Sequence, residues 1–319
     1  MNRTTLFLAS LSLCLPSAQA AAQSAPMAVS AGGVAIRTDG LVATWYPPAS
    51  GKRGPVILAL GGSEGGEAGG KYLGAALAAQ GYGVLSLAYF RADGLPAVLQ
   101  EIPLEYFDRA LGWIAKQPLA DPRKIGIYGI SVGAETALLV ASRHPEIRAV
   151  VAAVPSSVIW QGINPADYRQ VKSTFSLAGQ PVPFMPYDNS AAFTGILDLY
   201  QRSLKRLSTY PDAAIPVERI GGDILLLSSK DDKLWPSSDM SDAVMARLDA
   251  KGFRHRHTHI AYPDAGHGAM SPPSGNPAMR SLDNLGGTPD GNQAARMDMW
   301  QRVQTFFREA LGPVAKVAK

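Results

Sequence analysis

Five residues constrain this chain more than any others: Gly129-Ile130-Ser131-Val132-Gly133. They follow the apolar run from Ile125 to Tyr128, which has the character of a strand buried on both faces. They open an Ala/Leu-rich stretch from about Val132 to Arg143 that reads as a helix. A G-x-S-x-G sequence at a strand-to-helix junction asks for a sharp turn that lifts the serine hydroxyl to the edge of the sheet. The flanking glycines leave room for close backbone, and the helix N-terminus favours a developing negative charge. A glycine-rich turn without chemistry is the plain alternative. The matching strand and helix on either side favour the nucleophile elbow.

The rest of the chain repeats this alternation. Asp39-Gly40 is a hairpin turn signal between Val34 and Trp45. Strands are expected at Pro55 to Leu60, Tyr82 to Tyr89, Arg148 to Val154, Asp223 to Ser228 and about Arg256 to Tyr262. Helices are expected at Tyr72 to Gln80, Leu104 to Lys116, Asp239 to Lys251 and about Gln293 to Leu311. Phe107, Leu111 and Ile114 share one helical face, as do Met240, Val244 and Leu248, and the last helix is expected to bury Trp300, Val303 and Phe307. Such spacing implies βαβ units and a mainly parallel sheet with helices on both faces. With the elbow, it predicts an α/β-hydrolase fold over residues 33–312, with a short tail at 313–319. Between Ser157 and Pro216 the pattern breaks into prolines and aromatics (Trp160, Tyr168, Phe175, Phe184, Tyr187, Phe193 and Tyr200) without a convincing strand run. That stretch is expected to be a cap inserted into a single domain.

Composition narrows the function classes. Hydrophobic residues make up 46% of the chain, which excludes a disordered protein. The net charge of +4 comes without a basic run or an Arg/aromatic cluster, so no nucleic-acid partner is expected. Arg3, the apolar stretch Leu6 to Leu15 and Ala18-Gln19-Ala20 form a three-part export signal, with the cut expected between Ala20 and Ala21. An Ala/Ser/Gly-rich leader follows at 21–32. The protein is therefore expected to be periplasmic or secreted, with no stable membrane insertion once the signal is removed. The single cysteine, Cys14, would leave with the signal.

A serine nucleophile needs a base, and the base needs an orienting acid. His267 sits in Asp264-Ala265-Gly266-His267-Gly268, a glycine loop after the last expected strand, and is the predicted base. His144 precedes Pro145 at a helix end and reads as a dipole partner. His255, His257 and His259 alternate along a strand; a metal site is the lesser reading, because no further ligand cluster accompanies them. The acid is expected just after the strand at 223–228, where Asp231 and Asp232 are both available. The spacing to Trp235-Pro236 favours Asp232, with Asp231 as a turn residue. Gly61-Gly62-Ser63-Glu64-Gly65-Gly66 follows an apolar strand at the position of an oxyanion loop. The backbone amides of Ser63 and Val132 are the expected oxyanion donors. A phosphate loop is disfavoured, because the Lys-Ser/Thr ending is missing. This chemistry calls for no metal and no organic cofactor.

With these residues in place, the chain resembles the C-terminal catalytic domain shared by acyl-CoA thioester hydrolases and bile acid-CoA:amino acid N-acyltransferase. The resemblance rests on LALGGSEGG, AYFRADGLPAVLQEIPLEYFDRALGWI, IGIYGISVGAETALLVAS, AAIPVERIGGDILLLSSKDDKLWPSS, YPDAGHG and GGTP, and covers roughly residues 35–312. It implies nucleophile, acid and base at Ser131, Asp232 and His267. Two departures stand out: the amino-acid-conjugating members use cysteine where this chain has Ser131, and no room is expected here for the N-terminal β-sandwich of the eukaryotic members. Both favour a hydrolase over an amine transferase. The expected activity is a serine hydrolase for acyl thioesters or carboxylic esters, acting on a small-molecule substrate. Its rivals are an exported carboxylesterase unrelated to coenzyme A and a non-catalytic ligand-binding protein of the same fold.

Overall fold

Turn chemistry opens the sheet: Asp39 and Gly40, at φ 55° and 71°, reverse the chain between β1 (Val34–Ile36) and β2 (Val42–Tyr46), which pair antiparallel. The computed structural model describes residues 32–273 and 284–315. The export signal, its cut between Ala20 and Ala21, Cys14 and the leader as far as residue 31 lie outside the described residues.

Then come β3 (Gly54–Leu60), α1 (Ala68–Ala78), β4 (Gly83–Ala88), the two-residue β5 (Ile102–Pro103) and α2 (Glu105–Ala115). β6 (Ala120–Ile130) runs through the elbow into α3 (Val132–Arg143), followed by β7 (Ile147–Ala153). The insert carries β8 (Phe175–Leu177), β9 (Gln180–Pro181) and α4 (Ile196–Leu204). The main sheet then resumes with β10 (Asp223–Ser229), α5 (Ser237–Ala250), β11 (His257–Tyr262) and α6 (Pro289–Leu311). The eight strands of that sheet stand in the order β1-β2-β4-β3-β6-β7-β10-β11, parallel from β4 onward.

Burial explains the continuous apolar runs. Along β3, Val56, Leu58 and Leu60 join Phe107 of α2, Leu138 of α3 and Val244 of α5 in one cluster. Ile57 and Ala59 point the other way, to Leu73 and Leu77 of α1 and to Val303 and Phe307 of α6. Strands covered on both faces have no exposed face to make polar, which is why they read as unbroken hydrophobic segments. This is the α/β-hydrolase fold. Among the described residues, no helix is long and apolar enough to cross a membrane.

Three of the details that differ from expectation have a clear physical cause. The last helix starts at Pro289, four residues early, because Thr288 caps it by accepting from the Gly291 amide and Pro289 fits the first helical position. Trp300 is only partly buried; the apolar stripe of α6 runs through Ala295, Met299, Val303 and Phe307, and Trp300 lies one position off it. The insert does contain strands: β8 pairs with β5 and β9, in runs of two or three residues too short to show a period.

Candidate active site

Ser131 stands at the end of β6 with φ 58° and ψ −124°, a strained conformation that costs about 1–3 kcal/mol and needs support from its surroundings. Its amide donates to Ala153 O at 2.9 Å, and its carbonyl accepts from the Ala134 and Glu135 amides. The two motif glycines are required by backbone proximity. A Cβ on Gly129 would lie 1.8 Å from Gly133 O, and one on Gly133 would lie 2.3 Å from Gly61 O. The elbow and the 61–66 loop are thus packed backbone to backbone.

The structure brings the predicted base and acid to this serine. His267 Nε2 lies 2.9 Å from Ser131 Oγ, and His267 Nδ1 lies 2.9 Å from Asp232 Oδ2. All three side chains are buried, so little water competes for these contacts. A carboxylate oxygen only accepts, so the proton between Asp232 and His267 sits on Nδ1 and leaves Nε2 facing the serine hydroxyl as acceptor. Asp232 is fixed in turn: its Oδ1 accepts from the Leu234 and Trp235 amides at 2.9 and 3.1 Å, and its Oδ2 from Ser237 Oγ at 2.7 Å. Trp235 anchors to Val154 O through its indole N–H and sets its ring against His267, centroids 5.7 Å apart.

Asp231 does other work. Its Oδ2 accepts from the Gly287 amide at 2.7 Å, and it pairs with Lys233, so it ties the 286–287 turn to the loop that carries Asp232. The loop that carries His267 has its own supports: Ser229 Oγ donates to Gly266 O, and Asn292 Oδ1 accepts from the Gly266 amide.

The 61–66 loop reaches the serine. A Cβ on Gly62 would lie 3.4 Å from Ser131 Cβ, and Ser63 follows on the exposed rim. Glu64 Oε1 accepts from the Gly62 amide at 3.0 Å, while Tyr89 Oη donates to Gly61 O at 2.7 Å. Val132 opens α3, where a first-turn amide has no carbonyl four residues back to bond.

Three of the remaining histidines have polar partners of their own. His144 bridges Asp108 and Glu146 at 2.9 and 2.8 Å, joining the end of α3 to α2. His257 contacts Asp249, and His259 sits between Ser228 Oγ and Asp242. Burial lowers the pKa of His259; the His255 carbonyl and Asp249 raise that of His257. Among the described residues, no group of three or more His, Cys, Asp or Glu is placed to hold a metal ion.

The family model described as BAAT / Acyl-CoA thioester hydrolase C terminal matches residues 102–313. The chain belongs to this family. Among its curated relatives is mouse acyl-coenzyme A thioesterase 2, mitochondrial, 32% identical over 285 residues, covering 88% of this chain and 60% of that one. Mouse acyl-coenzyme A thioesterase 6 is 30% identical over 287 residues, covering 87% of this chain and 65% of that protein. The chain therefore spans about two thirds or less of the length of these relatives. Solved structures share the fold at lower identity. Pyrococcus horikoshii acylaminoacyl peptidase gives a TM-score of 0.57 at 15% identity, over 88% of this chain and 41% of the peptidase. A dienelactone hydrolase-like promiscuous phosphotriesterase from metagenomic libraries gives 0.51 at 17%, over 85% and 93%.

In this member of the family, several residues at the site carry no sequence signature. Ser237 looks like any polar residue at a helix start, and Asn292 like any residue after a turn. Tyr89 shapes the glycine loop from outside it, and Glu64 from within it. Glu135 is hidden differently: one turn beyond Ser131 on α3, it is 1% exposed, and its carboxyl accepts the Trp160 amide at 3.1 Å. A lone charged residue in the otherwise uncharged stretch from Val132 to Ser142 was the available signal.

Proposed function

We propose that the protein is a serine hydrolase that cleaves acyl thioesters or carboxylic esters through an acyl-enzyme on Ser131. The observation that carries this reading is the hydrogen-bonded line Ser131, His267, Asp232 at a strained strand-to-helix elbow. Ser131 Oγ attacks the acyl carbonyl carbon while His267 Nε2 takes the hydroxyl proton. The negative charge that forms on the carbonyl oxygen is met by the amides of Ser63 and Val132. The intermediate collapses with loss of thiolate or alkoxide, which His267 protonates. Water, deprotonated by His267, then attacks the acyl-serine and releases the acid, restoring Ser131. Asp232 holds the imidazole in the required tautomer throughout.

The family favours an acyl-CoA thioester as substrate. A carboxylic ester is the second reading, and the insert supports it. Four of its cations already pair with carboxylates: Arg169 with Asp167, Lys172 with Glu101, Arg202 with Asp198 and Arg206 with Asp188. They leave a weak grip for the phosphates of a carrier. With the export signal, this favours acyl groups met outside the cytoplasm, on a chain cut between Ala20 and Ala21.

The deciding experiment compares matched short-chain esters and acyl-CoA thioesters on the signal-free protein and its Ser131→Ala variant. Ester kcat/KM within about tenfold of acyl-CoA, equivalent to ~1.4 kcal/mol, is the expected result. The Ser131→Ala variant is expected to lose roughly 10⁴–10⁶ in kcat. A preference for acyl-CoA above a hundredfold, lost when the carrier phosphates are removed, would establish the coenzyme A reading alone.

A further inference from the structure

Glu135 is a buried carboxyl beside the site that the reaction above leaves unused. The amide it accepts belongs to Trp160, and Trp160 lies on the spine of the insert. Around it, the Ile159 amide donates to Ala213 O, the Met185 amide to Ile159 O, and Thr174 to Trp160 O through both its amide and its hydroxyl. From Trp160 an unbroken run of rings leads back to the base. Trp160 meets Tyr200 edge-on at 4.7 Å between centroids, Tyr200 meets Trp235 at 5.7 Å, and Trp235 meets His267 at 5.7 Å. Tyr187 stacks on Trp160 at 6.0 Å, and its hydroxyl lies 3.3 Å from that of Tyr200.

We propose that Glu135 is a positioning residue for turnover: by holding the Trp160 amide it fixes the ring stack that backs His267. This rests on the reaction proposed above. Nucleophile helix, insert and base are then one packed unit, joined in part through a single carboxyl.

The surroundings of that joint give it a pH dependence. Tyr89, just after β4, faces Glu135, as do Tyr187 and Tyr200 from the insert. Burial holds all three phenols neutral, so none supplies a positive charge. One step further out are Glu64 beside Tyr89, with Arg91 near Glu64, and Asp232 beside Tyr200, hydrogen-bonded to His267; neither Arg91 nor His267 acts on Glu135 directly. The 3-10 turn Val217–Arg219 also packs on α3, with Glu218 paired to Arg247. On α3 itself, Arg143 is at the far end, near Asp108. Among the described residues no ion pair reaches Glu135. Burial pushes its pKa up to about 8, against the Trp160 hydrogen bond, which lowers it. Burial thus favours its protonated form at neutral pH. Ionised, it keeps the Trp160 amide as a donor but needs water or a cation that the packed unit does not provide, and the packing around Trp160 must open to admit one.

The test is the pH dependence of kcat on a short-chain ester from pH 6 to 10, for wild type, Glu135→Gln and Glu135→Ala, with tryptophan emission followed in parallel. Glutamine keeps the shape and the acceptor but cannot ionise; alanine removes the acceptor. Expected are a wild-type kcat that falls at least fivefold above about pH 8 with a matching emission step, and a Glu135→Gln profile flat over that range. Glu135→Ala is expected to lose at least tenfold at every pH. A Glu135→Gln profile that superimposes on wild type would overturn the proposal. So would wild-type emission flat from pH 7 to 10, a result that does not depend on any variant folding. Fluorophosphonate labelling at pH 7 separates the two claims. Unlabelled wild-type Ser131 would reject the reaction itself; labelled Ser131 with superimposed profiles would reject only the role of Glu135.

Discussion

Ser237 Oγ donates a 2.7 Å hydrogen bond to Asp232 Oδ2, the same oxygen that lies 2.9 Å from His267 Nδ1. One hydroxyl at the start of α5 thus fixes the direction in which the acid faces the base. Ser237→Ala is expected to lower kcat about tenfold with KM little changed, the size of one hydrogen bond to a charged group. Steady-state kinetics on one ester check it, and an unchanged kcat would make Ser237 a packing residue only.

The two neighbouring aspartates are expected to separate cleanly. Asp232→Asn should reduce kcat by roughly 10³–10⁴, because asparagine can hold the wrong imidazole tautomer and does not stabilise the imidazolium. Asp231→Asn should keep turnover within severalfold of wild type and instead lower the melting temperature, since Asp231 holds the Gly287 amide and Lys233. Kinetics and melting curves for the pair, measured side by side, decide it. A reversed order would make Asp231 the acid.

Two glycine substitutions should move stability in opposite directions. Gly133→Ala drives a methyl onto Gly61 O and is expected to cost about 1–3 kcal/mol or more, with loss of activity as the elbow shifts. Gly112→Ala, on the exposed face of α2 with nothing within 4 Å of the added carbon, is expected to stabilise by up to ~1 kcal/mol. Urea unfolding of both variants measures the difference.

Legibility in the sequence followed burial and period. Strands such as β3 and β10 are apolar throughout because both faces are covered, and the elbow is legible because Gly129 and Gly133 admit no side chain. Ser131, Asp232 and His267 each follow a strand in chain order, so the elbow motif, the spacing to Trp235-Pro236 and the glycine loop around His267 made them candidates, and the structure brings them within hydrogen-bonding distance. What spacing did not reveal is the support around them. Ser237, Asn292 and Tyr89 act through side-chain contacts with residues 5 to 28 positions away, and no local pattern encodes those meetings. The insert was opaque for another reason. Its strands β8 and β9 have three residues or fewer, and its order comes from aromatic packing and isolated bridges such as Trp160 with Met185.

Stability should also report Glu135. Its carboxyl is raised from 4.5 in the unfolded chain to about 8 in the fold, so the folded state binds more protons between those values. The stability it confers is fully present below about pH 4.5 and is lost as pH rises through 8. Relative to Glu135→Gln, wild type is expected to lose on the order of a few kcal/mol between pH 5 and 9. Urea unfolding at the two pH values tests this, and parallel losses in both proteins would contradict it.

The central claim, a covalent acyl-serine at the elbow, is tested most directly by mass spectrometry of protein quenched in acid during turnover of a slow acyl ester or thioester. The predicted result is a mass increase equal to the acyl group less one hydrogen, mapped to the peptide containing Ser131 and absent from Ser131→Ala. Turnover with no adduct on Ser131 in wild type, or unchanged turnover in Ser131→Ala, would contradict it.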